Sequence, residues 1–163
     1  MTYLDYNATT PVDERVLKEM LPFFSEHFGN ASSNTHEFGW YAKGAIDKAR
    51  QQVADFIGAE ATEIIFNSGS TEGINTALKG VYEAYKSKGN HIITTQTEHK
   101  AVLDTCEYLK DLGAEITYLS VDREGRIDLD ELKQSFTDKT ILVSVIAANN
   151  ETGVLQDLEK ISE

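Results

Sequence analysis

The chain has 163 residues, 40% of them apolar, and a formal net charge of −12. That length suits one ordinary domain with a real core, and no apolar run approaches the roughly 20 residues needed to cross a bilayer. Lys and Arg form no block, which argues against a nucleic-acid partner, and the single cysteine, Cys106, excludes an internal disulfide framework or a cysteine-based metal site.

The start, Met1-Thr2-Tyr3-Leu4-Asp5, has neither a basic region nor an apolar signal core, so a cytoplasmic protein is expected. Thr10 is placed to cap a first helix, with Pro11 at its first position and Asp13 three residues after the cap. Val16, Leu17, Met20, Leu21 and Phe24 then recur at helical spacing, and Pro22 is expected to kink or divide the run. A small-polar loop follows over 29–35. An amphipathic helix is predicted over 38–57, with Ala42, Ala45, Ile46, Ala49, Val53 and Phe56 on one face and Gly58 as its stop.

The rhythm then changes to strand, turn, helix. Glu63-Ile64-Ile65-Phe66 reads as a short buried strand, followed by a helix over 71–85. His91 to Thr95 reads as the next strand, with a helix over 101–112, and Glu115 to Leu119 as a third. Asp128 and Glu131 open a further helix with a D-x-x-E cap pattern. Ile141 to Ile146 is the most apolar strand, as expected of one covered on both faces. Alternation of this kind implies an α/β sheet, mostly parallel, with helices on both faces and right-handed crossovers. Gln156 to Glu163 looks like the opening turns of one more helix, so the C-terminus reads as a truncation.

Ligands of open α/β sheets bind beyond the carboxyl ends of the strands, and three loops hold that position. In Asn67-Ser68-Gly69-Ser70-Thr71-Glu72-Gly73, Ser70 and Thr71 would place hydroxyls and free N–H groups at a helix N-terminus. That is an anion cradle suited to a phosphate, or else simply a helix cap. Neither G-x-x-x-x-G-K-[ST] nor G-x-G-x-x-G is present. In Gln96-Thr97-Glu98-His99-Lys100, His99 could stack on a flat cofactor or move a proton, or its ring could bond to backbone. In Ala148-Asn149-Asn150-Glu151-Thr152-Gly153, an asparagine could donate an amide hydrogen bond to a ligand or shape the turn. Taken together, an anion cradle, a flat ring and an amide donor equip a site for a phosphorylated aromatic cofactor.

At these residues the sequence resembles the cysteine desulfurases (NifS/IscS-like), class V aminotransferases of the fold-type I pyridoxal-phosphate (PLP) enzymes. Tyr3-Leu4-Asp5-Tyr6-Asn7-Ala8-Thr9-Thr10-Pro11 is similar to the family's Y-L-D-x-x-A-T-T-P, and Gly29-Asn30-Ala31-Ser32-Ser33 with His36 to its G-N-P-S-S-x-H, with Ala31 where Pro is usual. Ser68-Gly69-Ser70-Thr71-Glu72 resembles S-G-[AS]-T-E, and the stretches Thr97 to Leu103 and Asn149 to Gly153 match two further motifs.

The resemblance implies that Ser70 and Thr71 contact the PLP phosphate. It implies that His99 stacks on the pyridine ring as the catalytic histidine, and that Asn150 bonds the ring hydroxyl or the substrate carboxylate. Asn7, Ala8 and Thr9 would line the substrate side, and His36 would be structural. No metal is implied. Residues 1–58 would contribute to the small domain and site rim, and 59–163 would form the first part of the PLP-binding large domain. The implied reaction removes sulfur from L-cysteine, leaving L-alanine and an enzyme persulfide for Fe–S cluster or thio-cofactor synthesis, in a homodimer that serves a sulfur acceptor or scaffold protein.

His99-Lys100 is not the family's S-x-H-K, because Thr97-Glu98 and Ala101-Val102-Leu103 around it belong to the stacking-histidine motif. Lys100 is read as an exposed residue at a helix start, and Cys106 as a small core residue rather than the persulfide cysteine. The 163 residues contain no S-x-H-K, no D-x-x-Q after the last motif and no distal cysteine loop, so the chain alone is expected to be inactive. Selenocysteine lyase and other class V aminotransferases are the alternatives within the class. A catalytically incomplete α/β binding module is the alternative outside it.

Overall fold

The structure is a computed structural model that describes residues 2–6 and 8–163. The chain divides into two compact units, Met1–Phe66 and Asn67–Glu163.

In the first unit, helix α1 (Glu14–Met20) is capped by Asp13, whose carboxylate accepts the Arg15 N–H. The expected cap at Thr10 is therefore displaced, because an aspartate three residues later is the better acceptor where helical backbone begins. Pro22 divides the run as expected and opens a short second helix, α2 (Pro22–Ser25). Helix α3 (Glu37–Ile57) is capped by the His36 ring, which accepts the Gly39 N–H at 3.4 Å. It stops at Gly58, which takes the left-handed conformation at φ 70°. Gly39 lets the preceding loop close on the helix, since a Cβ there would fall 1.8 Å from the Ser33 carbonyl oxygen.

The strand expected at Glu63 to Phe66 does not form. Ala61–Glu63 is a 3-10 turn, Ile64 is extended at φ −90° and ψ 118°, and Ile65 and Phe66 are exposed. An extended segment becomes a strand only when a neighbour takes its N–H and C=O groups, and no strand of the described residues lies beside this one. The segment instead joins α3: the Arg50 guanidinium donates to the Ile64 carbonyl at 3.3 Å and lies 5.2 Å over the Phe66 ring. That tie lies within the first unit, which runs to Phe66.

The second unit is a three-layer α/β arrangement. Helix α4 (Ser70–Tyr85) leads into β1 (His91–Thr95), α5 (Lys100–Asp111), β2 (Glu115–Leu119), α6 (Leu129–Ser135), β3 (Thr140–Val143) and α7 (Leu158–Ser162). The three strands are parallel in the order β2-β1-β3. The central strand β1 is buried at every position, and its alternation sorts the core. Ile92 packs with Leu78 and Tyr82 of α4 and with Val102, Cys106 and Leu109 of α5, whereas Ile93 and Leu119 pack with Leu132 of α6 and Ile161 of α7. Helices thus cover both faces, as the alternation of elements predicts. Gly89 precedes β1 because a Cβ there would fall 2.2 Å from the Lys139 carbonyl oxygen. At the amino edge the buried His91 ring spans the sheet, with one nitrogen 2.8 Å from Thr117 Oγ1 and the other 2.8 Å from Thr140 Oγ1. Among the described residues no helix is long and apolar enough to cross a membrane.

Candidate functional site

Helix α4 begins at Ser70 after Gly69, and no side chain caps it. Its first-turn N–H groups, which have no intrahelical acceptor in any helix, therefore also lack a side-chain one, and the positive end of the helix dipole adds to them. The loop before it is braced from both sides. Asn67 Oδ1 accepts the Gly69 N–H at 3.0 Å, and Glu72 Oε2 accepts the Ser68 N–H at 2.7 Å together with the Ser68 hydroxyl. The Ser68 hydroxyl, then its N–H, holds the Glu72 carboxyl below the usual carboxylate range. Ser70 and Thr71 are exposed at the open end. An uncapped helix start with two hydroxyls is chemically suited to an anion.

The second loop joins β1 to α5. His99 is the N-cap of α5, and its Nδ1 accepts the Ala101 N–H at 3.1 Å. That bond leaves Nδ1 as acceptor, so in the neutral ring the proton is on Nε2. The ring is exposed and held by its own helix, which gives it a defined plane. Backbone bonding and ligand stacking are thus compatible in one residue, since the bond uses an edge and leaves a face. Beside it, Glu98 is buried, at 8% exposure. Its Oε1 accepts the Ile146 N–H. Burial pushes the Glu98 carboxyl above its ordinary range, opposed by the Ile146 and His99 N–H groups and the His99 charge. Lys100 is exposed and pairs with Asp104 at 2.7 Å, as expected of a surface residue at a helix start.

The third loop follows β3. The apolar run expected to Ile146 leaves the ladder after Val143, although the Ser144 N–H still donates to the Ile93 carbonyl at 2.9 Å. Residues Ala148 and Leu155 pair in an antiparallel bridge, and the turn between them is shaped by Asn149. Asn149 Oδ1 accepts the Glu151 N–H at 3.0 Å, the Thr152 N–H at 2.9 Å and the Thr152 hydroxyl at 3.1 Å, while Nδ2 donates to the Thr97 carbonyl at 2.9 Å. Of the two asparagines, Asn149 is thus the structural one. Asn150 is exposed, and its side chain makes no hydrogen bond among the described residues.

His99 and Asn150 line one cleft of about 350 Å³ with Gln96, Thr97, Asn149 and Thr152. Ser70 and Thr71 do not line it. They stand at the same end of the sheet, because α4 and α5 run side by side with their C-termini tied by the Tyr82 hydroxyl on the Leu112 carbonyl. Ala8 and Thr9 belong to the first unit, where both N–H groups point to the Asp5 carbonyl at 3.1 and 3.4 Å. Asn7 lies outside the described residues. Sequence reasoning assigned no role to Glu72 or Glu98, and from the residues alone did not say which of Asn149 and Asn150 would shape the turn. Each sits inside a motif, but only burial and partner geometry distinguish it from its neighbours.

The family model described as aminotransferase class-V matches residues 2–163. The chain belongs to the aminotransferase class-V family. Among this family's members, cysteine desulfurase IscS of Histophilus somni (strain 2336) is 56% identical over 163 residues, covering 99% of this chain and 40% of that protein. Cysteine desulfurase IscS of Ehrlichia chaffeensis is 55% identical over 161 residues, covering 99% of this chain and 39% of that protein. A solved NifS-like protein superposes with a TM-score of 0.95 at 45% identity, over 99% of this chain and 44% of its own. A structure of SspA in complex with cysteine gives a TM-score of 0.92 at 37% identity, over 99% of this chain and 46% of its own. The chain spans about 40% of the length of the curated class-V relatives it matches.

Proposed function

We propose that this chain forms the phosphate and ring-face side of the PLP site of a cysteine desulfurase. The observation that supports the reading is that an uncapped helix start stands at the same end of a parallel sheet as a cleft lined by a ring held in its own N-cap bond and a free amide. The IscS relatives support it. Ser70 and Thr71 would hold the phosphate through hydroxyls and first-turn N–H groups. His99 would lie against the ring face, with Nε2 available to hold or pass a proton. Asn150 would donate to the ring hydroxyl or the substrate carboxylate. When bound, PLP supplies the electron sink for chemistry at the substrate's α-carbon.

The substrate proposed is L-cysteine, the ligand named for the SspA structure, and the products are L-alanine and protein-bound persulfide. The whole enzyme would act as a homodimer that hands sulfur to an acceptor protein. The 163 residues carry no S-x-H-K lysine, so their share of the work is binding and orientation.

Titration of the chain with PLP, followed by absorbance, should show saturable binding. Substituting Ser70→Ala together with Thr71→Val should weaken it about tenfold or more, the loss expected of two hydrogen bonds to a charged group. Added cysteine should yield no alanine. Equal affinity in the double variant, or alanine release by the chain alone, would overturn the reading.

A further inference from the structure

We propose that Glu98 and Asn149 are positioning residues that clamp the loop carrying Asn150 onto the loop carrying His99, fixing the separation of ring and amide in the cleft. The inference rests on the function proposed above. Two bonds cross between the loops, both with the donor on the Asn150 loop and the acceptor on the His99 loop, and each loop contributes one of the two side chains. Glu98 Oε1, on the His99 loop, accepts the Ile146 N–H. Asn149 Nδ2, on the Asn150 loop, donates to the Thr97 carbonyl at 2.9 Å. Each clamp residue is the immediate chain neighbour of a proposed ligand residue, so any slip of the clamp moves that ligand residue directly.

The need for a clamp follows from where β3 ends. Past Ser144 the chain departs from the sheet, and the Ile146 N–H, half-buried, has no ladder partner. A buried donor without an acceptor is costly. Glu98 supplies that acceptor, although its own burial disfavours the charge. A carboxylate kept at 8% exposure against the Ile146 N–H of the other loop is better explained by loop placement than by stability. Asn149 has all its side-chain polar atoms engaged, and its Oδ1 orders the turn that holds Asn150 outward.

The test uses the 163-residue chain and two readouts. The first, without cofactor, is amide hydrogen exchange and the NMR signals of the Asn150 side chain and the His99 ring. Glu98→Ala should speed exchange at Ile146 by about tenfold or more and shift both sets of signals. Glu98→Gln, whose amide oxygen still accepts, should restore protection to within about threefold. Asn149→Asp keeps the turn acceptors and loses only the donor to Thr97, so it should shift the Asn150 signals while the fold persists. The second readout is the circular dichroism band of added PLP, which reports the asymmetry of its surroundings. It should fall in Glu98→Ala and Asn149→Asp and return in Glu98→Gln. Unchanged Ile146 exchange in Glu98→Ala, or an unchanged PLP band in both disruptive variants, would overturn the clamp. Absence of any PLP binding by the unsubstituted chain, with the exchange results as expected, would overturn the cofactor reading instead and leave the clamp as a loop brace without that purpose.

Discussion

The Tyr82 hydroxyl donates to the Leu112 carbonyl at 2.9 Å, joining the C-terminal turns of α4 and α5. Because the two helices pack side by side, this bond at one end also aligns the Ser70 and His99 ends at the other. Tyr82→Phe removes the bond and leaves a partly buried carbonyl unpaired. Urea denaturation should show a loss of about 1 kcal/mol, with the ring's packing retained.

Two glutamates near the site are shifted in opposite directions. Glu72, held low by Ser68, contributes stability that is present above the ordinary carboxyl value of 4.5 and is lost as pH falls through its lowered value. Glu98, raised by burial, contributes stability that is present below 4.5 and is lost as pH rises through its raised value. Stability measured from pH 3 to 7 should therefore separate the variants. The deficit of Glu72→Gln relative to the parent should grow with pH, whereas Glu98→Gln should improve relative to the parent with pH. Parallel curves would contradict both assignments.

Cys106 is fully buried, and burial followed by the Glu98 charge pushes its thiol up to about 11. Thiolate is the reactive form, so the native chain should resist a disulfide reagent at pH 8 and react stoichiometrically once unfolded. Rapid native labelling would show that α5 opens readily.

Ile93 is fully buried in the central strand, while Ile65 is 77% exposed in the segment that forms no strand. Ile93→Ala should cost about 2–5 kcal/mol in chemical denaturation. Ile65→Ala should stay within about 0.5 kcal/mol. A large loss at Ile65 would mean that the segment packs in solution.

Much of the second unit was legible because its signals are local. Asp128 needs only its chain neighbours to cap a helix, and it does so where expected. Gly58 likewise ends α3, because its backbone freedom is its own. Glu63 to Phe66 misled for the converse reason: strand propensity is a promise of pairing, and pairing depends on another segment being there.

The α/β alternation and the ordered motifs are written in the chain's local pattern of residues. Only the tertiary structure decided how the residues of those motifs are held. That Asn149 is the brace and Asn150 the free amide follows from a turn and a carbonyl far away in the chain. That Glu98 is buried against Ile146, while His99 beside it is exposed, follows from where β3 leaves the sheet. Local propensity acts between chain neighbours, whereas burial and cross-loop hydrogen bonds exist only once distant segments have met.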